Sequence, residues 1–191
     1  STTASVKYIK QAKKEKLALT TDLAAHQILL SEDNLQDFNS YNKVMPPLRD
    51  KKTQDILIQS IIDGTIDAIS SDHTPIEEEL KNCEFDQAEF GMIGLETVFP
   101  IINTVLKDHI NINQITELIS INPRNIINVD IPIIQEDVKA NITLFDPILK
   151  WTYKKESIES LSKNTPFINY EFTGVVIGII NKGKVSLNQR S

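Results

Sequence analysis

The chain has 191 residues, of which 40% are hydrophobic and 24% charged, and this balance excludes an intrinsically disordered protein. Its net charge of -6 gives no basis for binding nucleic acid or an anionic membrane surface. No apolar run approaches the roughly 20 residues that cross a bilayer, so we expect no membrane partner. The single cysteine, Cys83, excludes an internal disulfide and fits a cytoplasmic location.

The first part of the chain alternates helical and strand patterns. Residues 3–16 have an amphipathic helical pattern, and residues 17–24 predict a strand. Asp50 is typical of a residue that begins a helix, and Gly64 of one that ends it. The apolar run at residues 66–71 predicts a second strand. The order helix, strand, helix, strand indicates an α/β fold with a parallel sheet.

Two or three further helices precede a change of pattern near Asp130. The segment from Phe90 predicts a helix that ends at about Leu106, and the pattern beyond it predicts helices at about 113–121 and 122–125. After Asp130 the sequence is typical of β structure, which predicts domains at 1–130 and 131–191. Its predicted strands are 141–147, ended by a proline, and a hairpin of 172–180 and 184–187.

Two parallel strands cannot close a barrel by themselves, because an eight-stranded barrel needs roughly 250 residues. Periodicity therefore leaves two interpretations open. The chain is either a small, complete α/β domain of about three strands or the last part of a barrel. Its start at Ser1, without methionine, and its scattered histidines favour a fragment.

Asp72 is the strongest candidate for a functional residue. It follows the second predicted strand directly, in the sequence Ile66-Asp67-Ala68-Ile69-Ser70-Ser71-Asp72-His73-Thr74-Pro75. Barrel enzymes place catalytic and metal-binding groups at the C-terminal ends of their strands, where a carboxylate reaches the site. The alternative is an aspartate that caps the turn before Pro75, a common position for this residue type.

Several short motifs, in order, resemble the C-terminal half of the dihydroorotases, cyclic amidohydrolases of the metal-dependent amidohydrolase superfamily. The resemblance implies the last part of a TIM-like (β/α)8 barrel, followed by strands of a small composite β-sandwich. The motifs are Ala24-Ala25-His26-Gln27-Ile28-Leu29-Leu30, Tyr41-Asn42-Lys43-Val44-Met45-Pro46-Pro47-Leu48-Arg49, Ser71-Asp72-His73-Thr74-Pro75, Phe90-Gly91 with Gly94-Leu95-Glu96-Thr97, Asn122-Pro123-Arg124 and Asn164-Thr165-Pro166-Phe167.

The resemblance also implies roles for single residues. Asp72 would contact one or two zinc ions and move the proton of the attacking water. His73 would steady this aspartate, although a histidine bonded only to backbone is an equal alternative. Phe90 and Gly91 would hold the substrate ring, and the alternative is a simple turn. His26 and His109 are expected to be structural or surface residues, because the family's other metal ligands precede Ser1.

Two positions depart from the family pattern. Met45 stands where the family usually has an asparagine, and Ile76 where it usually has a histidine. Neither side chain can hydrogen-bond a substrate, and each lost bond to a charged group costs about 1.5–3 kcal/mol.

Two hypotheses on function follow. One is a zinc-dependent enzyme acting on dihydroorotate or a related cyclic amide. The other is a non-catalytic subunit that assembles with aspartate carbamoyltransferase. A homo-oligomer is expected in either case. The 191 residues alone are predicted to be inactive, because the missing ligands are needed to hold zinc.

Overall fold

The structure, a computed structural model, describes residues 1–188. Within these residues, no helix is long and apolar enough to cross a membrane. The helices are α1 (Thr3–Lys14), α2 (His26–Leu29), α3 (Lys51–Ile62), α4 (Glu78–Lys81), α5 (Val98–Leu106), α6 (Ile112–Thr116) and α7 (Asn122–Ile126). The strands are β1 (Asp22–Ala24), β2 (Ala68–Ser70), β3 (Asn141–Thr152), β4 (Glu171–Asn181) and β5 (Lys184–Leu187).

Strands β1 and β2 pair in parallel, as the alternation of helices and strands predicted. Leu23 lies opposite Ile69, and both side chains are buried. Both strands are shorter than predicted. The contact between the two chain segments continues one residue before β1, where the carbonyl of Thr21 accepts hydrogen bonds from the amides of both Asp67 and Ala68.

Helix α1 ends two residues before the predicted limit. Lys16 has a left-handed backbone with φ of 59°. The amide of Leu17 bonds the carbonyl of Ala12, and that of Lys16 bonds the carbonyl of Lys13. This pair of bonds is the Schellman motif, which satisfies the last carbonyls of the helix and turns the chain toward β1.

Helix α3 begins and ends as predicted. The side chain of Asp50 accepts a hydrogen bond from the amide of Thr53, as an N-cap does. Gly64 follows the helix with φ of 76°, a conformation that favours glycine. Asp50 and Gly64 thereby set the two ends of the helix, and its apolar face packs into the core.

Helices α6 and α7 are joined by a π-helical stretch, Glu117–Ile121, so the two predicted helices form one continuous run. Pro123 lies inside this run. Proline lacks an amide hydrogen and crowds the preceding turn. Pro123 is the second residue of α7, early in the helix as predicted, and the wider π turn before it provides space for its ring.

The prediction that Pro147 ends a strand is wrong, because β3 continues to Thr152. Its register with β4 shifts between Asp146, which faces Val175, and Lys150, which faces Thr173. Pro147 lies within this irregular stretch. A bulge is one of the few places where a sheet tolerates a residue without an amide hydrogen.

The predicted hairpin is confirmed. Strands β4 and β5 are antiparallel and enclose Lys182 and Gly183, both with positive φ. This is the backbone of a two-residue turn suited to strand twist. Helix α5 packs on this three-stranded sheet, and Asn103 of α5 donates to the carbonyl of Thr173 at 2.8 Å. The domain boundary near Asp130 stays a prediction.

Candidate active site

The ends of β1 and β2 place two titratable side chains at one edge of the parallel pair. His26 comes two residues after β1, and Asp72 comes two residues after β2. The amide of Ala25 donates to the carbonyl of Ser70 at 2.9 Å, so the two chains remain paired up to this edge. This is the C-terminal edge, where barrel enzymes assemble their active sites.

Asp72 is exposed and has a left-handed backbone with φ of 46°. Within residues 1–188 its carboxylate makes no hydrogen bond or ion pair, whereas its main-chain carbonyl accepts a bond from the hydroxyl of Thr74 at 3.3 Å. A carboxylate capping the turn before Pro75 would accept a nearby amide hydrogen. The described contacts therefore leave this carboxylate available to a ligand.

His73 is fixed by backbone groups. Its Nδ1 accepts hydrogen bonds from the amides of Gly94 at 3.1 Å and Leu95 at 3.3 Å. A nitrogen that accepts carries no proton, so the neutral ring holds its proton on Nε2. His73 therefore makes the bonds to backbone groups that the alternative interpretation of this histidine predicts. A role in steadying Asp72 stays a prediction.

Gly94 allows its segment to approach the Asp72 loop closely. A Cβ atom at this position would overlap the carbonyl oxygen of Ser71, the residue before Asp72. Gly91 packs on the same loop, where a Cβ atom would lie 2.5 Å from Cγ2 of Thr74. Both glycines therefore set the separation of this turn from the Asp72 loop.

The predicted substrate turn at Phe90 and Gly91 is held against a third segment. The amide of Gly91 donates to the carbonyl of Lys43 at 2.9 Å, and Nζ of Lys43 lies 4.7 Å from the centroid of the Phe90 ring. The Gly91 amide thus already has a partner, while 43% of Phe90 is exposed. Contact of these two residues with a substrate stays a prediction.

The two substituted positions differ in exposure. Met45 is 59% exposed and follows Lys43 by two residues. Ile76 is half-buried, and its amide donates to Oδ1 of Asn164 at 3.2 Å. Three segments therefore meet at this edge: the Lys43–Met45 loop, the Asp72–Ile76 loop and the Phe90–Gly94 turn.

Lys81 is a residue that sequence reasoning missed, since it lies among the glutamates of residues 77–89, a pattern typical of exposed surface. Its side chain has no exposed surface, and Nζ donates to the carbonyls of Ser40 and Glu89 at 2.8 Å and of Lys43 at 3.2 Å. Burial, together with the charge of Lys43, lowers the pKa of Lys81 from 10.5 to about 8.

Of the two histidines expected to be structural or surface residues, His26 is buried and His109 is exposed. Neither ring nitrogen of His26 has a hydrogen-bond partner within the described residues. Burial lowers the pKa of His26 to about 4, partly opposed by the charge of Asp72. Buried polar atoms are usually paired, so His26 is an exception at the candidate site.

The described part of the chain does not complete a metal site. Residues 1–188 contain no group of three or more histidine, cysteine, aspartate or glutamate side chains arranged to hold a metal ion. Zinc in proteins takes four ligands as a rule, and at least three come from the protein. Asp72 can provide one carboxylate ligand, and the remaining metal ligands would have to come from outside residues 1–188.

Comparison with known proteins identifies the relatives of this chain, although no protein-family model matches it. It is 40% identical over 187 residues to a dihydroorotase of Caldicellulosiruptor saccharolyticus and 38% identical over 188 residues to one of Endomicrobium trichonymphae. This chain is homologous to dihydroorotases. Each alignment covers 97% of the chain but only 44% of the relative, so the chain spans less than half the length of these dihydroorotases.

Solved structures confirm the predicted fold, the last part of an amidohydrolase barrel. The L-hydantoinase of Arthrobacter aurescens matches with a TM-score of 0.90 at 23% identity, over 100% of this chain and 44% of that chain. An inactive dihydroorotase-like domain of a Chaetomium thermophilum CAD-like multifunctional protein matches with a TM-score of 0.71 at 18% identity, over 98% of this chain and 50% of that chain.

Proposed function

We propose that a protein containing this chain is a zinc-dependent dihydroorotase. It would open the ring of dihydroorotate with water to give N-carbamoyl-aspartate, and close it in the reverse direction, in pyrimidine biosynthesis, in the cytoplasm and as a homo-oligomer. The observation that carries the proposal is the carboxylate of Asp72, which is exposed at the end of β2 and without a partner in residues 1–188. Similarity to dihydroorotases supports the same substrate class.

The chemistry assigned to this chain is proton transfer by Asp72. One or two bound zinc ions would supply a hydroxide at neutral pH and polarise the amide carbonyl. The carboxylate of Asp72 accepts the proton of the attacking water and returns it to the leaving nitrogen, acting as general base and then acid. Because this carboxylate has no competing partner, no internal bond must break before it acts.

The second candidate function is a non-catalytic subunit that assembles with aspartate carbamoyltransferase. The observation that favours it is the pair Met45 and Ile76, whose side chains cannot hydrogen-bond the substrate carboxylate or ring amides. Loss of two such bonds would weaken dihydroorotate binding by roughly a hundredfold or more. A less acidic cyclic amide would be affected less by the same substitutions.

A fusion protein tests the proposal. The part of the Caldicellulosiruptor saccharolyticus dihydroorotase that precedes the matched segment is joined to this chain, and zinc content and hydrolysis of dihydroorotate are measured. We expect bound zinc and activity, with kcat at least a hundredfold lower in Asp72→Asn, because general acid–base catalysis contributes about 10²–10⁴. A folded fusion in which Asp72→Asn leaves kcat unchanged contradicts the role of Asp72.

One further variant of the fusion, with two substitutions, separates the two candidate functions. Met45→Asn and Ile76→His together restore the usual family residues. If the unmodified fusion is inactive and this double variant hydrolyses dihydroorotate, the chain retains its catalytic group but not the substrate contacts. If both bind zinc and neither hydrolyses dihydroorotate or related cyclic amides, the non-catalytic subunit is supported instead.

A further inference from the structure

Asn164 connects two segments of the candidate site from a distant part of the chain. It lies between β3 and β4, 88 residues beyond Ile76, and is only 2% exposed. Its Oδ1 accepts from the amide of Ile76 at 3.2 Å, and its Nδ2 donates to the carbonyl of Thr74 at 2.9 Å. Both partners belong to the loop that begins at Asp72.

The same residue bonds the turn that carries Phe90. Nδ2 of Asn164 also donates to the carbonyl of Gly91 at 3.3 Å, and its own carbonyl accepts from the amide of Ile93 at 3.0 Å. Both side-chain hydrogens and the side-chain oxygen are therefore in use. A side-chain amide has two donors and one acceptor oxygen, a combination that aspartate cannot reproduce.

We propose that Asn164 is a positioning residue for the active site. It fixes the separation between the Asp72 loop and the Phe90–Gly91 turn, although it need not touch substrate itself. The inference rests on the proposed function, because this separation matters for catalysis only if one substrate contacts both segments. Misplacement by about 1 Å is enough to lower a reaction rate about a hundredfold.

Asn103 provides a matched control for a merely structural role. It is also 2% exposed, and its Nδ2 also donates to two carbonyls, those of Pro147 at 2.9 Å and Thr173 at 2.8 Å. These bonds join α5 to the sheet and involve none of the three site segments. Asn103→Ala and Asn164→Ala should therefore have similar effects on stability but different effects on the site.

Kinetics on the fusion described above give the first measurement. We expect Asn164→Ala to raise KM for dihydroorotate at least tenfold and to lower kcat, whereas Asn103→Ala lowers the melting temperature and leaves KM unchanged. Asn164→Asp keeps the acceptor for Ile76 but turns a carboxylate oxygen toward two carbonyls. It should raise KM as well, even if Asn164→Ala does not fold.

Amide hydrogen exchange on the full 191-residue chain gives a measurement that does not depend on activity. The amide of Thr74 donates to the carbonyl of Met92 at 2.8 Å, and the amide of Gly91 donates to the carbonyl of Lys43. Asn164 bonds the carbonyls of Thr74 and Gly91 but neither of these two amides. Both should exchange at least tenfold faster in Asn164→Ala than in Asn103→Ala. Equal exchange in the two variants overturns the inference even if the fusion is active, and an inactive fusion with the expected exchange rejects only the proposed function.

Discussion

Lys81 places an ammonium group inside the region that holds the Phe90–Gly91 turn. Its three donors match three backbone carbonyls, and no carboxylate lies within ion-pair distance in the part of the chain described by the structure. Hydrogen bonds to carbonyls compensate only part of the cost of removing a charge from water. Folding therefore lowers the pKa of the Lys81 amine, which still carries its proton below about pH 8.

This shift predicts a dependence of stability on pH. Below pH 8 the Lys81 amine is protonated in both states, whereas between about 8 and 10.5 the unfolded chain binds more protons. The contribution of Lys81 to the free energy of unfolding should therefore rise with pH across this window, by on the order of 3 kcal/mol. Chemical denaturation from pH 7 to 11 measures it.

Lys81→Met removes the titrating group, and the exposed Lys139 provides its control as Lys139→Met. We expect the rise above pH 8 to disappear in Lys81→Met and to persist in Lys139→Met. Parallel pH profiles for Lys81→Met and the unmodified chain would show that Lys81 does not titrate in this window.

The prediction that Asp72 follows a strand is confirmed, because the signal is local: an apolar run ends shortly before it. Its role at the site stays a prediction. Lys81 and Asn164 could not be recognised in the same way, since their partners lie up to 90 residues away in the chain. A buried lysine without a carboxylate partner has the same sequence signature as an exposed lysine on an acidic surface. The motif that contains Asn164 predicts no physical role for this residue.

Among the elements, an aromatic cluster anchors the segment that carries Asn164. Phe172 of β4 is fully buried, and its ring lies 4.8 Å from that of Tyr170 and 5.8 Å from those of Trp151 and Phe167, between centroids. Phe167 is three residues from Asn164. The rings of β3, β4 and this segment thus hold Asn164 near the candidate site.

Phe172→Ala should lower the free energy of unfolding by about 3–5 kcal/mol, the usual cost of emptying a core aromatic position. Leu161→Ala is the control from the same region, because Leu161 is 100% exposed and should change stability little. Urea denaturation measures both. A loss below about 1 kcal/mol in Phe172→Ala would contradict the anchoring role of the cluster.

Local patterns predicted most elements, and the errors have a common physical cause. Asp50, Gly64 and the β4–β5 turn act through neighbouring backbone, so their signals are readable in sequence. Proline propensity predicts that Pro147 ends β3, but the irregular register with β4 accommodates it. That register depends on a partner strand more than twenty residues away, which proline propensity alone does not reveal.

At the scale of the whole molecule, the parallel pair is incomplete by itself. Within residues 1–188, β1 pairs only with β2, so each strand has one edge without a partner strand. Several large apolar side chains are also exposed after α7, among them Ile127, Ile133 and Ile134. Open strand edges and exposed apolar surface promote association between chains.

The 191-residue chain alone should therefore self-associate, and it should bind no stoichiometric zinc and hydrolyse no dihydroorotate. Sedimentation velocity at increasing concentration, metal analysis and the hydrolysis assay measure these three properties, with the fusion as the control. One zinc per chain, or measurable hydrolysis by the chain alone, would contradict the prediction that the chain lacks most of the metal ligands.

Gly94 and Asp72 are subject to different constraints during sequence drift. A side chain at Gly94 would overlap Ser71, so packing alone requires glycine there, whether or not the protein is a catalyst. The carboxylate of Asp72 has no bond in residues 1–188 that an asparagine would break, and asparagine also adopts the left-handed backbone of this position. In a lineage freed from catalysis, glycine would persist at the first position while aspartate drifted at the second. Of the two, only Asp72 reports on selection for chemistry.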